Sequence, residues 1–111
     1  MEHESENAPD LTPAEAQEWQ RARALMVDVR ELDEWEAGRI PGSVHLPLSE
    51  LAERWQELPD ADQTVFICRV GGRSRTAADA FSAAGRKGCA NLAGGCQGWV
   101  QAGLPFDGHV A

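Results

Sequence analysis

The run Thr64-Val65-Phe66-Ile67-Cys68 is apolar throughout, and it gives way almost at once to Gly71-Gly72 and then to an alanine-rich segment, Arg73 to Ala84, that stops at Gly85. A strand that is apolar on both faces has no side to offer to water, so it belongs in the middle of a sheet covered above and below, as a central parallel strand does. The glycines break the strand, and the segment after them has helical composition. This strand–loop–helix unit requires an α/β arrangement, and the rest of the chain must supply its neighbours.

The rest of the chain does so. Leu25-Met26-Val27-Asp28-Val29 reads as a second buried strand, Cys89 to Leu92 as another and Ser43 to Leu46 as a short one. Helices are predicted between them. The first begins at Thr12, with Pro13 at its first position and Glu15 completing a capping box, and runs to about Arg23. Glu31 to Ala37 forms a short helix stopped by Gly38. Leu48, Leu51, Ala52, Trp55 and Leu58 recur at helical spacing up to Pro59. A last short helix follows Gly94-Gly95 through Trp99 and closes at Gly103 and Pro105. Strands alternating with helices indicate a mainly parallel sheet, whose ligands sit beyond the carboxyl ends of the strands. Three loops follow such ends: Asp28-Val29-Arg30, Cys68 to Ser74, and Ala93-Gly94-Gly95. They are expected to meet.

Length and charge narrow the function. A chain of 111 residues is one domain, large enough to bury a core without disulfides or a structural metal. A net charge of −8 argues against a general nucleic-acid binder. Residues 1–67 hold five Arg against sixteen acidic residues, a balance of −11, whereas residues 68–111 hold four Arg and one Lys against two Asp, a balance of +3. Arg69, Arg73 and Arg75 crowd one segment, which suggests a small anionic ligand. The three cysteines, Cys68, Cys89 and Cys96, fit no zinc spacing, and neither a metal nor a cofactor is expected. No apolar stretch approaches the roughly 20 residues of a membrane span. The polar, acidic MEHESENAPD resembles no targeting peptide. A cytoplasmic, reduced, monomeric protein is the default expectation.

The chemistry centres on Cys68-Arg69-Val70-Gly71-Gly72-Arg73-Ser74. Taken alone, a cysteine ending an apolar strand reads better as a small core residue than as a nucleophile. The company it keeps reverses that. Glycines let successive N–H groups converge on one point, and the start of the following helix adds free donors and partial positive charge. A cysteine at the mouth of such a cradle favours its thiolate.

These residues resemble the rhodanese-like domains. Four pieces carry the likeness in order: Asp28-Val29-Arg30-Glu31; Arg39-Ile40-Pro41-Gly42-Ser43-Val44-His45-Leu46-Pro47; the Cys68 loop; and Asn91-Leu92-Ala93-Gly94-Gly95 with Trp99. The family often has His where this chain has Arg39, at a position that looks structural. The resemblance implies a single domain over residues 10–106, between an acidic disordered tail (1–9) and a short C-terminal tail (107–111). Its sheet would be five-stranded and mainly parallel, with helices on both faces. It further implies a sulfurtransferase: Cys68 takes sulfane sulfur from thiosulfate or a related donor as a persulfide and passes it to cyanide, a thiol or a protein acceptor. Arg69, Val70, Gly71, Gly72, Arg73 and Ser74 would form the cradle, with Arg69 and Arg73 gripping a sulfonate. Asp28, Arg30, Gly94 and Gly95 would support it, and Gly42, Pro47, Trp35 and Trp99 would be architectural.

Two rivals stand beside this reading. A cysteine phosphatase or arsenate reductase places Arg six positions after its cysteine, whereas Arg73 is five after Cys68, so this loop is too short for a phosphate-sized tetrahedron. A rhodanese module serving a protein partner, either non-catalytic or as a persulfide relay, differs only in what it meets. Cys89 reads as core. Cys96 reads as a helix-start residue, with a role in resolving oxidised Cys68 as the speculative alternative. His3, His45 and His109 are not expected to act as bases. Glu31, Asp33, Glu34 and Glu36 read as a solvated helix face, and the four tryptophans as core or partial core.

Overall fold

A computed structural model describes residues 7–111. Among them, five strands form one parallel sheet in the order β1-β6-β5-β2-β4: β1 (Asp10–Leu11), β2 (Leu25–Asp28), β4 (Val44–His45), β5 (Thr64–Ile67) and β6 (Cys89–Leu92). The apolar run at 64–67 is the central strand and is buried along its whole length, as a strand without a polar face requires. Helices α1 (Pro13–Arg21), α2 (Leu32–Ala37), α3 (Leu51–Arg54), α4 (Gly72–Ala83) and α5 (Gly95–Gln101) cover the sheet. A second, antiparallel pairing joins β3 (Gly38–Arg39) to β7 (Asp107–Gly108).

The side chains of β5 alternate between two cores. Phe66 and Cys68 face Val27, Val29, Leu46, Ala77, Ala78 and Phe81. Val65 and Ile67 face Met26, Ile40, Leu92, Cys96 and Trp99. Cys68 and Cys96 therefore belong to opposite faces of the sheet.

The capping box at α1 is present in both directions, Thr12 N–H to Glu15 at 2.9 Å and Glu15 N–H to the Thr12 hydroxyl at 3.1 Å. That helix ends at Arg21, before the expected Arg23. Arg23 takes a left-handed φ of 75°, and the amides of Arg23 and Ala24 turn back to the carbonyls of Gln20 and Trp19. This is the reverse turn that usually calls on glycine, built here on an arginine.

Several other elements differ from expectation. The periodic segment 48–58 is not one helix but three short pieces: a 3-10 turn at Leu48–Glu50, α3, and a 3-10 turn at Trp55–Glu57. Glu50 and Arg54, at the two joints, sit near φ −112° and −121° with ψ close to zero, outside α-helical geometry. Trp55, expected in or near the core, is half exposed and lines an apolar surface groove of about 410 Å³ with Leu48, Leu51, Ala77 and Phe81. Trp99 is buried, and its indole N–H donates to the Pro105 carbonyl at 2.7 Å.

At the chain ends, residues 1–6 of the expected acidic tail lie outside the described residues. Ala8 is buried, and its amide donates to Asp79 at 3.0 Å. In the C-terminal segment, His109 N–H donates to the Ala37 carbonyl at 3.1 Å, beside the β3–β7 pair. No helix among the described residues is long and apolar enough to cross a membrane.

Candidate active site

The loop between β5 and α4 wraps the Cys68 sulfur. Gly71 takes a left-handed φ of 110° as the N-cap of α4, which directs its N–H inward to Sγ at 3.0 Å. The Ser74 hydroxyl lies 3.2 Å from Sγ on the other side. Cys68 itself is only 1% exposed. Burial alone would push its thiol up. The Ser74 hydroxyl and the amides of Ser74, Gly71 and Val70 outweigh that penalty, and the net shift is downward. The shift favours ionisation to the nucleophilic thiolate, and it comes from the Ser74 hydroxyl and the loop amides rather than from a neighbouring base.

The three expected loops do converge. Cys96 N–H donates to the Cys68 carbonyl at 2.8 Å, and Gln97 N–H to the Arg69 carbonyl at 3.0 Å, so α5 pins the loop from behind. Gly95 permits this contact. It has a φ of +58°, and a Cβ there would run into the Cys68 carbonyl oxygen and lie 2.6 Å from the Arg69 carbonyl group. Gly94 backs onto Gly71: a Cβ on Gly71 would meet the Gly94 nitrogen at 3.3 Å. On the third loop, Val29 N–H donates to the Ile67 carbonyl at 2.9 Å, tying it to the strand that ends at the site. Asp28 and Arg30 form a fully buried pair there, with Nε and Nη2 of Arg30 donating to the carboxylate at 2.9–3.1 Å. Nη2 also donates to the Gly38 carbonyl at 2.6 Å, while Nη1 is buried with no hydrogen-bond partner among the described residues. The Arg30 carbonyl pairs with the His45 ring at 2.7 Å, and His45 stacks on Trp35. Asp28 and Arg30 brace the loop and touch neither Sγ nor its donors.

The arginines are arranged otherwise than expected for a sulfonate grip. Arg73 places Nη1 and Nη2 on the two carboxylate oxygens of Glu34, at 2.7 and 2.8 Å. Arg69 points its Nε to the main-chain oxygen of Ala111 at 3.0 Å. Arg75, counted with them along the chain, pairs with Asp10 and Asp79 and donates to the Ala8 carbonyl at 2.6 Å. The local basic excess of the sequence is matched in the fold by acids from α2, β1 and α4. Arg73 still acts on Cys68 through its charge.

Glu34 is the functional neighbour that the sequence did not reveal. It read as one acid of a solvated face, and 39 residues separate it from Arg73. The Arg73 fork holds its carboxyl down to about 2, against a smaller opposing effect of burial and with help from the Glu31 amide. Asn91 and Asp10 were missed as well. Asn91 lies beside Ser74, with Oδ1 2.5 Å from the hydroxyl oxygen, and its amide nitrogen donates to Asp10 at 2.9 Å. Cys96 is fully buried on the opposite face, and burial pushes its thiol up to about 12. A neutral thiol packed on the other side of the sheet is not placed to resolve an oxidised Cys68.

Comparison with known proteins places the chain in a family. Residues 12–102 match the rhodanese-like domain, and the chain belongs to that family. It is 30% identical over 99 residues to the thiosulfate sulfurtransferase GlpE of Haemophilus influenzae, covering 88% of this chain and 93% of that one. It is 36% identical over 82 residues to a sulfurtransferase of Allochromatium vinosum, covering 74% and 77%. The crystal structure of a rhodanese-related protein from Thermoplasma volcanium superposes with a TM-score of 0.81 at 33% identity, over 88% of this chain and 96% of that one. The chain spans only 37% to 56% of the length of three other curated relatives. The rhodanese-like domain thus also occurs as part of longer proteins.

Proposed function

We propose that this protein is a thiosulfate sulfurtransferase working through a persulfide on Cys68. The observation that carries the reading is the enclosure of Sγ by the Gly71 amide and the Ser74 hydroxyl at the start of α4, which lowers the thiol. In the first step the Cys68 thiolate attacks the outer sulfur of thiosulfate. An Sγ–S bond forms, the S–S bond of the donor breaks, and sulfite departs with the electron pair. The negative charge then resides on the outer sulfur of the persulfide, where the remaining cradle amides can meet it. In the second step cyanide, a thiol or a protein thiolate attacks that outer sulfur and Cys68 leaves as the thiolate. No proton needs to move in the first step, which suits a site without a general base.

A specific observation favours a second reading of the donor. Both arginines meant for the sulfonate are already engaged, Arg73 by Glu34 and Arg69 by Ala111. A dianion must compete with Glu34 for Arg73, whereas a persulfide carried by a protein partner brings a smaller charge to the site. A persulfide relay is therefore the alternative. Steady-state thiocyanate formation from thiosulfate and cyanide tests the first reading. Parallel double-reciprocal lines are expected from a covalent intermediate. Absence of turnover with thiosulfate, together with rapid transfer from a persulfidated protein, would establish the relay instead.

A further inference from the structure

The Ser74 hydroxyl has one proton and two acceptors within reach. Its oxygen lies 3.2 Å from the Cys68 sulfur and 2.5 Å from Oδ1 of Asn91. Both Ser74 and Asn91 are buried, so water does not relieve the competition. The Asn91 amide cannot turn over to resolve it. Its nitrogen donates to the Asp10 carboxylate at 2.9 Å and to the Gly71 carbonyl at 3.3 Å, and both of those groups only accept. Oδ1 must therefore face Ser74, and at 2.5 Å the proton between them must come from Ser74. While the proton lies toward Oδ1 the Cys68 sulfur keeps only its amide donors; turned toward Sγ, the hydroxyl becomes a further donor that helps hold the thiolate.

We propose that Asn91 is a positioning residue that directs the Ser74 proton: toward Oδ1 while Cys68 is a thiol or carries sulfur, and released to Sγ when Cys68 is the free thiolate. In the loaded protein the charge sits on the outer sulfur and Sγ is neutral, so the hydroxyl can return to Asn91. Asn91 then favours the loaded state over the empty thiolate. This half of the inference rests on the persulfide reading, and the first half does not. Asp10, on the exposed edge strand and paired with Arg75, is the anchor that fixes the amide.

The other charged or titratable groups around Cys68 come from every neighbouring element. Arg73 of α4 is held by Glu34 of α2, with Glu31 close by, and Cys96 of α5 lies near the Asp28–Arg30 pair after β2. None of these contacts Ser74 or Asn91 by a hydrogen bond, so the rotor can be separated from them by a mutant cycle.

The test is the pH dependence of Cys68 alkylation by iodoacetamide, followed on the Cys68 peptide by mass spectrometry, in the native chain, Asn91→Ala, Ser74→Ala and the double variant. Removing the rival acceptor should move the Cys68 midpoint down by about half to one pH unit, the size of one hydrogen bond. Ser74→Ala should move it up, and Asn91→Ala should add nothing once Ser74 is gone. Asp10→Ala, at an exposed site, gives the same test without opening the core: a smaller downward shift that also vanishes without Ser74. An Asn91→Ala shift that persists undiminished in the Ser74→Ala background, an upward shift, or no shift overturns the proposal. The titration uses no sulfur donor, so its failure leaves the sulfurtransferase reading intact. Failure of that reading would leave the titration unchanged.

Discussion

Gly95 packs behind the Cys68 loop and Gly72 opens the helix that follows it, and a methyl group on each should have opposite consequences. At Gly95 the new Cβ would lie 2.6 Å from the Arg69 carbonyl carbon and oxygen, and it would also strike the Cys68 carbonyl oxygen. Ordinary contact begins at 3.4 Å, so the Cys68 loop must retreat by at least about 0.8 Å. The amides of Cys96 and Gln97 that pin the loop then lose their carbonyls, at about 1 kcal/mol each. The left-handed backbone of Gly95 adds about 1–2 kcal/mol for any L side chain. A total loss of about 3–4 kcal/mol lowers the melting temperature of a domain this size by on the order of 10–20 °C. A reacting group displaced by about 1 Å slows its chemistry about 100-fold. At Gly72, the first residue of α4, a Cβ would meet nothing within 4 Å. Its amide survives substitution, and Ala there should be neutral or stabilising by up to about 1 kcal/mol. The assay is a thermal melt beside the rate of sulfur loading on the intact protein. Gly95→Ala with native stability and loading rate, or Gly72→Ala as impaired as Gly95→Ala, would refute the packing of α5 against the Cys68 loop as the source of its geometry.

Other consequences are equally direct. Glu34 has its folded pKa lowered to about 2, so its bridge to Arg73 contributes fully above the ordinary carboxyl range near 4.5 and is lost as pH falls from there toward 2. With Arg73 more than a third exposed, solvent screening limits the contribution to about 1 kcal/mol, and Glu34→Gln should flatten the acid limb of a stability–pH profile from urea titrations by that amount. Arg30→Met leaves the Asp28 carboxylate buried without its partner and should cost about 3–5 kcal/mol in chemical denaturation, with any residual folded protein still able to load sulfur. At neutral pH, brief treatment with iodoacetamide should modify Cys68, whose thiol is lowered by its hydrogen-bond donors, and spare Cys89 and Cys96, whose thiols burial raises, as peptide masses will show.

The parts of the fold legible in the sequence are those set by local pattern. The apolar run at 64–67, the capping box at Thr12 and the glycines around Cys68 each act within a few residues, and each stands where the pattern put it. What was not legible depends on partners far apart in the chain. The two residues of β1 carry no periodicity, and they are strands only because β6, some 80 residues on, offers its edge. The β3–β7 pair is equally short and equally remote. The amphipathic spacing of 48–58 was real, but spacing alone does not distinguish one helix from a chain of short turns on the same face. At the site, Cys68 and its amides could be read from the loop itself. That Arg73 answers Glu34 rather than a ligand, and that Ser74 answers Asn91, could not, because charge counted along a chain says nothing of which acid the fold brings to which base.

The most direct measurement is an intact mass. The native chain and Cys68→Ser are each mixed with thiosulfate, freed of small molecules and weighed under non-reducing conditions. A gain of one sulfur atom by the native chain alone is the expected result, and it would locate the persulfide on Cys68. No gain by a folded protein whose Cys68 thiol is demonstrably free, or an equal gain by Cys68→Ser, would contradict the assignment of Cys68 as the sulfur carrier for thiosulfate.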